Sequence, residues 1–495
     1  MDKKKTKNIV TIHPVTRLEG LAKITILLNN AGRVENAYYQ VVELRGFERF
    51  LQGRPIEEVL RITPRICGVC PTPHHLAPAK AADQIYNVEP PKTGKMLREI
   101  MALAHVVHSH ILHYYAFALP DLILGEKSKP GTHNILGIAH QFPEVAKKAI
   151  RARAYAQEAQ AMTGAKATHP VTALPGGISK GITKEDAEKL WKWGKYIVEF
   201  GQLGLEVWEQ EVRKNKKMMN LINSDAYKMD SYYMSVVDDD NALDFYHSNI
   251  VRVVDSNGKE KFKFEAKDYL DYIAEHVEPW TYLKFPFLKK IGWKGLVYGP
   301  DSGIYRVNSL ARLNVVDNIK TPLANEAMQH MYEVFGGKPA HHTLGFNWAR
   351  LIEILHCGER MVELAEDKDI YSNDYRIPVE KKNITGEGVG VIEAPRGTLY
   401  HHYKTDDEGK VIKANIIVAT TNNNGPICIS VKQAAEAMVH AGQYNEDDLN
   451  KIEMAFRAYD PCLACATHAM YGHMPMVVEI YDENKNKIRE LKRLN

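Results

Sequence analysis

Four of the six cysteines in this chain fall in two Cys-x-x-Cys turns at its opposite ends: Cys67 and Cys70 in Arg65-Ile66-Cys67-Gly68-Val69-Cys70, and Cys462 and Cys465 in Asp460-Pro461-Cys462-Leu463-Ala464-Cys465. Each turn aims two soft sulfurs at one point, and thiolates select zinc, iron-sulfur clusters, copper(I), or nickel and iron. The simplest reading is one metal site, and spacing alone makes structural zinc the first candidate. A zinc ribbon, however, separates its pairs by about 15–20 residues, so that a small loop closes on the ion. Here whole domains intervene, and the ion must sit between distant parts of a large fold.

At 495 residues and 45% hydrophobic the chain can bury a large core, with more than one structural layer or domain. The net charge is +3, and Lys and Arg are dispersed apart from short runs at the two termini. Both runs read as solvated ends, and nothing resembles a nucleic-acid footprint. No apolar segment follows the N-terminal lysines, and no stretch approaches the about 18 apolar residues of a membrane span. A soluble, cytoplasmic protein is expected. Cysteines kept for metal, with only Cys357 and Cys428 besides, also suit a reducing compartment.

Local patterns predict an α+β fold, mainly helical, with antiparallel hairpins at its periphery. Ala22 to Leu28 and Val34 to Val42 read as a hairpin. Met96 to Ala118 reads as a buried helix that Pro120 ends, its four histidines (His105, His108, His110, His113) more simply packing and hydrogen-bonding than ligating. A helix is expected from Pro143 to Met162, then a break at His169-Pro170 and Pro175-Gly176-Gly177, then a long helix to about Lys217 opened by the capping box Thr183-x-x-Asp186. Residues 231–299 lose helical period and carry Asn257-Gly258, so a small β-containing insertion is predicted. Helices are expected at Pro322 to Phe335 and Asn347 to Ala365, with Cys357 a small buried hydrophobe. Strands follow at Val389 to Glu393, Leu399 to Tyr403 and Val411 to Thr420, then helices at Val431 to Ala441 and Glu446 to Ala458. With no repeat or low-complexity linker, residues 1–468 should form one unit.

The residues flanking the cysteines are more specific than their spacing. Arg65-Ile66-Cys67-Gly68-Val69-Cys70 followed by His74, and Asp460-Pro461-Cys462-Leu463-Ala464-Cys465 followed by His468, resemble the paired signatures of the large subunit of nickel-iron hydrogenases. Arg17-Leu18-Glu19-Gly20, Arg45-Gly46-Phe47-Glu48 and Glu393-Ala394-Pro395-Arg396-Gly397 extend the likeness over essentially the whole chain. Heterolytic cleavage of dihydrogen needs a metal that takes the electron pair and a nearby base that takes the proton. The resemblance implies that Cys67 and Cys462 are terminal nickel ligands, and that Cys70 and Cys465 bridge nickel to an iron carrying carbon monoxide and cyanide. It places Arg396 and Thr420 around those small ligands and His74 beside a bridging sulfur. Without the cysteines, Arg396 would more simply pair with Glu393, and Thr420 would close a strand.

Glu19 occupies the family's proton-relay position, where burial and a neighbouring thiolate raise a carboxyl pKa; the alternative is a pair with Arg17. Leu21 stands where many members have a histidine. Glu48 and His468 match the side chains that hold a second ion, usually magnesium, with a backbone carbonyl near Ile416. Asn422 replaces a tryptophan often found there. Asp121 matches an acidic residue above the active site, or caps the chain after Pro120.

Cys357 and Cys428 cannot bind a four-cysteine iron-sulfur cluster, and no glycine-rich phosphate cradle follows a strand, so electrons must leave through a partner. By resemblance that partner is an iron-sulfur small subunit. The pattern is most similar to cytoplasmic methanogen-type, methyl-viologen-reducing hydrogenases that do not reduce deazaflavin. These pass electrons through an additional electron-transfer subunit to a heterodisulfide reductase. Deazaflavin-reducing and nicotinamide-coupled relatives share most of the blocks. Two rival classes are a zinc-stabilised structural protein and a non-catalytic electron-transfer subunit of the respiratory-complex type, which has lost the cysteines; retention of four thiols speaks against the second. In the family a maturation endopeptidase, working with nickel-insertion proteins, cuts after the residue matching His468. Ala469 to Asn495 are therefore expected to be a removable extension, with Met474 to Tyr481 a strand and Asp482 to Asn495 solvated.

Overall fold

The alternating run Ala22-Lys23-Ile24-Thr25-Ile26-Leu27-Leu28 turns every second side chain into the core and becomes the middle strand of an antiparallel sheet. Its members are β1 (Ile9–Ile12), β2 (Ala22–Leu28) and β3 (Val34–Val41). The computed structural model describes residues 9–124, 134–467, 476–481 and 487–493.

The helical core packs α2 (Lys92–Leu112) on α3 (Pro143–Gly164) and α7 (Phe346–Glu366), and α4 (Lys184–Val207) on the same two helices. The predicted capping box opens α4, with Thr183 and Asp186 each bonding the other's backbone. α1 (Pro73–Ile85) leaves the first cysteine turn. Between α4 and α7 come β4 (Tyr232–Val237), β5 (Ile250–Val254), β6 (Glu260–Glu265), β7 (Tyr305–Arg306), α5 (Ser309–Val315) and α6 (Pro322–Phe335). The four strands form one sheet in the order β7-β4-β5-β6, with Gly258 at positive φ in the β5–β6 turn. A third sheet, β8 (Glu387–Ala394), β9 (Gly397–Thr405) and β10 (Val411–Ile417), is antiparallel throughout. After it α8 (Asn424–Met438) and α9 (Glu446–Arg457) lead to the second cysteine turn. The fold is α+β, as the sequence pattern predicts.

Two contacts bring the sheets onto the helices. A Cβ at Gly390 of β8 would lie 1.8 Å from the Ala77 carbonyl oxygen of α1. Only glycine lets the strand come this close, and the approach sets the Arg396 turn opposite the first cysteine pair. Deeper in, Arg312 of α5 donates to Glu353 of α7 at 2.6 and 2.7 Å and to Glu393 of β8 at 2.9 Å, all three fully buried. Such a set holds elements in register; removing one member leaves a buried charge, at a cost of about 3–5 kcal/mol.

The structure corrects the reading at four places. Pro120 does not end the first long helix: α2 continues through a wide turn, His113–Ala118, into a helix Leu119–Ile123. Pro120 lies in the first turn of that helix, where no backbone N–H is needed. The long helix after Thr183 does not reach Lys217, because α4 passes through a wide turn, Trp208–Arg213, and a new helix, Lys216–Ile222, begins. The strand read as Val411 to Thr420 stops at Ile417, and Ala419–Asn422 turn into a short helix. In the C-terminal segment β11 (Met476–Tyr481) pairs antiparallel with β12 (Lys487–Arg493), so the charged stretch supplies a strand. Three helical histidines have the bonds expected of packed imidazoles: His105 with Gln160, His110 with Glu353, and His113 with the Arg457 carbonyl. Cys357 is fully buried on α7.

Candidate metal centre

The two ends of the chain meet through backbone bonds. Glu19 N–H donates to the Pro461 carbonyl (3.3 Å) and Leu463 N–H to the Glu19 carbonyl (2.9 Å), a parallel bridge that lays the Arg17-to-Gly20 segment along the second cysteine turn. Gly20 has φ +93°, and a Cβ there would sit 2.7 Å from Leu463 Cβ; glycine permits both the turn and the approach. Arg45 ties the first turn to the second: its guanidinium donates to the Ile66 carbonyl, and its N–H to the Thr467 carbonyl at 2.6 Å.

The result is a buried cluster in which the sulfurs of Cys67, Cys70, Cys462 and Cys465 all lie within 4.8 Å of one another. Cys462 Sγ is 2.8 Å from Cys465 and 3.3 Å from Cys67; Cys70 Sγ is 2.9 Å from Cys465. Burial raises the cost of a thiolate at Cys67, but hydrogen bonds from the other three thiols and the Cys70 amide outweigh it and hold this thiol well below its ordinary range. Burial first, and neighbouring sulfurs second, push Cys462 well up. Cys67 is the thiol that ionises most readily, and the others ionise as a metal displaces their protons.

Cys70, Cys462 and Cys465 also line a small cavity of about 10 Å³, shared with His74, Arg396 and Thr420. That is room for about one small ligand, whereas a closed four-sulfur zinc site keeps no open position. Arg396 grips Asp460, Nε donating to its carbonyl at 2.6 Å and Nη2 lying 3.0 Å from its carboxylate, rather than Glu393. Its Nη1 is buried with no partner among the described residues. Thr420 Oγ1 accepts from Cys462 N–H at 3.2 Å. His74 Nδ1 meets His401 Nε2 at 3.1 Å, and burial pushes the His74 imidazole down to about 4, so it is neutral. A neutral ring, an unpartnered guanidinium N–H and a hydroxyl suit small anionic or dipolar ligands on a soft metal.

Glu19 Oε2 accepts from Cys462 Sγ at 3.2 Å and from Ala464 N–H at 2.9 Å. Burial and then the Cys67 charge raise its pKa, against those two bonds and Arg396. Arg17 is held instead by Asp121, 2.7 Å from Nη2. Asp121 also holds Arg457 and Asn450, and although burial opposes its ionisation the two arginines keep its carboxyl below the ordinary range. Glu48 is fully buried, and its Oε1 accepts from the Ile416 N–H at 2.7 Å. His468 lies outside the described residues. Asn422, in the tryptophan's place, accepts from the Tyr305 hydroxyl and donates to the Thr398 carbonyl. Leu21 is exposed.

Sequence reasoning misses three residues here. Asp460 stands in a quoted motif, yet its grip on Arg396 depends on a long-range contact. His401 carries no signal beyond its type. His169 reads as part of a loop, and its Nε2 lies 3.2 Å from the Cys67 carbonyl. Arg17, His169, Asn308 and Asp460, four of the eight described non-glycine residues with positive φ, surround the centre, which is where backbone strain tends to be kept.

The nickel-dependent hydrogenase family matches residues 45–123 and 220–468, and a HoxL-like family matches residues 9–44. The chain belongs to the nickel-dependent hydrogenases, as a large subunit, and is an oxidoreductase acting on dihydrogen. Among its relatives, an iron-sulfur subunit of the F420-non-reducing hydrogenase of Archaeoglobus profundus is 44% identical over 98% of this chain and 99% of its own length. An F420-non-reducing hydrogenase subunit of Methanothermobacter marburgensis is 40% identical over 97% of this chain and 99% of its own. A solved NAD+-reducing [NiFe]-hydrogenase in the H2-reduced state is 38% identical with a TM-score of 0.87, covering 94% of this chain and 100% of that one.

Proposed function

We propose that the four cysteines hold a nickel-iron pair, Cys67 and Cys462 on nickel and Cys70 and Cys465 bridging, and that the chain is the catalytic subunit of an F420-non-reducing type of hydrogenase. The observation that carries this is the set of donors around the small cavity beside Cys70 and Cys465, above all the Arg396 N–H that has no partner among the described residues: four thiols with such donors beside them fit soft metals with small ligands, carbon monoxide and cyanide, and a zinc site has no use for them. When bound, the pair supplies the site at which dihydrogen is split.

The chain's own part is to handle the proton. A proton on Cys462 Sγ has one carboxylate oxygen, Glu19 Oε2, within hydrogen-bond reach, and the raised Glu19 pKa lets that carboxyl take it and release it. Asp121, held ionised by two arginines, fixes Arg17 and with it the backbone that carries Glu19. It serves as an electrostatic anchor beside the centre rather than a carrier. Glu48, beside the backbone at Ile416, would hold a second ion, magnesium or another divalent, with His468 as its expected further ligand.

Electrons leave through an iron-sulfur small subunit. Leu21, Val42 and Leu44 are exposed beside the Glu19 segment, where Leu21 N–H meets Glu43, and suit a docking face. Onward transfer by a further electron-transfer protein to a heterodisulfide reductase, in the cytoplasm, follows the subgroup. None of the described helices is long and apolar enough to cross a membrane. A nicotinamide-coupled role is the second reading, favoured by the 35% identity to the NAD-reducing hydrogenase HoxS subunit beta of Cupriavidus necator.

Purification of the chain from its native host tests the assembly and its maturation together. The active complex should pair an iron-sulfur protein with a large subunit ending at His468, Ala469 to Asn495 having been removed by a maturation endopeptidase after metal insertion. An active, metal-loaded chain that still ends at Asn495 would rule the processing out, and activity in the isolated chain toward a protein acceptor would rule out the partner.

A further inference from the structure

Arg350 sits on α7, fully buried, and is bonded unlike the other buried arginines. Arg98, Arg312, Arg396 and Arg457 each hold a carboxylate. Arg306 instead donates to hydroxyl and carbonyl oxygens. Arg350 has only two side-chain amides, Asn347 Oδ1 at 3.2 Å and Asn308 Oδ1 at 3.3 Å, while its Nε has no partner among the described residues. A buried guanidinium so poorly compensated is costly, and burial pushes its pKa down to about 10, against the pull of Asp460 and Glu353.

Its connections lead to the metal centre. Asn308, held at φ +92°, donates through Nδ2 to the Tyr459 carbonyl at 2.7 Å. The next residue, Asp460, is the one that Arg396 grips. Charge points the same way. The layer behind the cysteines contains Arg312, Arg350 and Arg396 against Glu353, Glu393 and Asp460, three cations for three anions. Without Arg350 that layer would add a net negative charge behind four sulfurs that themselves turn negative on binding metal.

We propose that Arg350 is a positioning residue for the metal centre: through Asn308 and the Tyr459-Asp460 backbone it holds Arg396 toward the cysteine cavity, and its charge, held by no direct ion pair, keeps the layer behind the thiolate-bound metals from turning net negative. The inference rests on the nickel-iron reading above. It concerns the potential of the centre and the electron density on the iron, and it assigns Arg350 no contact with substrate.

The test uses the complete enzyme purified from its native host, wild type beside Arg350→Met, Arg350→Lys and Asn347→Asp. Arg350→Met removes the charge at similar length. Asn347→Asp keeps the arginine but places a carboxylate on it, so it probes the charge even where Arg350→Met fails to assemble. The readouts are the infrared stretching bands of carbon monoxide and cyanide and the midpoint potential of the nickel signal. Loss of positive charge should move the carbon monoxide band to lower frequency and make the centre harder to reduce in Arg350→Met and in Asn347→Asp. Arg350→Lys should stay near wild type. Bands and potential unmoved in Asn347→Asp, or moved equally by lysine and methionine, would overturn the inference. A wild-type enzyme without such bands would instead overturn the nickel-iron reading on which it rests.

Discussion

Cys465→Ser should lose dihydrogen uptake by roughly 10³-fold or more, the scale seen when a group acting directly on the reacting atoms is removed, and should not retain a metal pair. Cys465 Sγ lies 2.9 Å from Cys70 and 2.8 Å from Cys462, fully buried, at the junction between the four sulfurs and the Arg396 cavity. Burial pushes its thiol well above the ordinary range, so only a strongly bound soft ion will displace the proton. A serine hydroxyl is harder and far less acidic, and it will not bridge nickel and iron at neutral pH. The control is Cys357→Ser, equally buried but on α7 among core side chains. That change should cost about 1–3 kcal/mol of stability for a buried hydroxyl and leave turnover per folded molecule intact. Normal uptake by Cys465→Ser would overturn the assignment of the centre.

Glu19→Gln should leave the metals in place and reduce exchange of dihydrogen with solvent deuterium by about 10²–10⁴-fold, the usual contribution of a positioned acid or base. The amide oxygen can still accept from Ala464 N–H, so the bridge between the Glu19 segment and the second cysteine turn survives. What is lost is the ability to take the proton from Cys462 Sγ, 3.2 Å away. Because burial and the Cys67 charge raise the carboxyl pKa and only the ionised carboxylate can take the Cys462 proton, wild-type exchange should slow as acidification protonates Glu19, at a pH above that of an ordinary carboxyl, and the variant should lack this dependence. Exchange equal to wild type would show that the proton leaves by another route.

The parts of the fold written in local chemistry were legible in the sequence. β2 follows from its alternation, α4 from Thr183 and Asp186, and the four-cysteine cluster from two turns whose flanks are specific. The turn-rich 231–299 stretch showed its β character but not its sheet order, since the crossover that pairs β7 with β4 depends on packing between distant segments. Pro120 misled because the same residue that stops a helix in its interior is welcome in a first turn, and nothing local tells the two apart. The charged residues were hardest. Arg396 with Glu393, and Glu19 with Arg17, are plausible as neighbours in sequence, yet Arg396 takes Asp460, Glu393 takes Arg312, and Arg17 takes Asp121. Partner choice among buried charges is decided by which elements meet in the core, and a sequence does not display that.

If the four cysteines hold nickel and iron together, elemental analysis of the chain purified from its native host without added metal will show it. Nickel and iron should be bound in equal amounts and lost together in Cys465→Ser; zinc in the four-cysteine site, with neither nickel nor iron, would contradict the assignment.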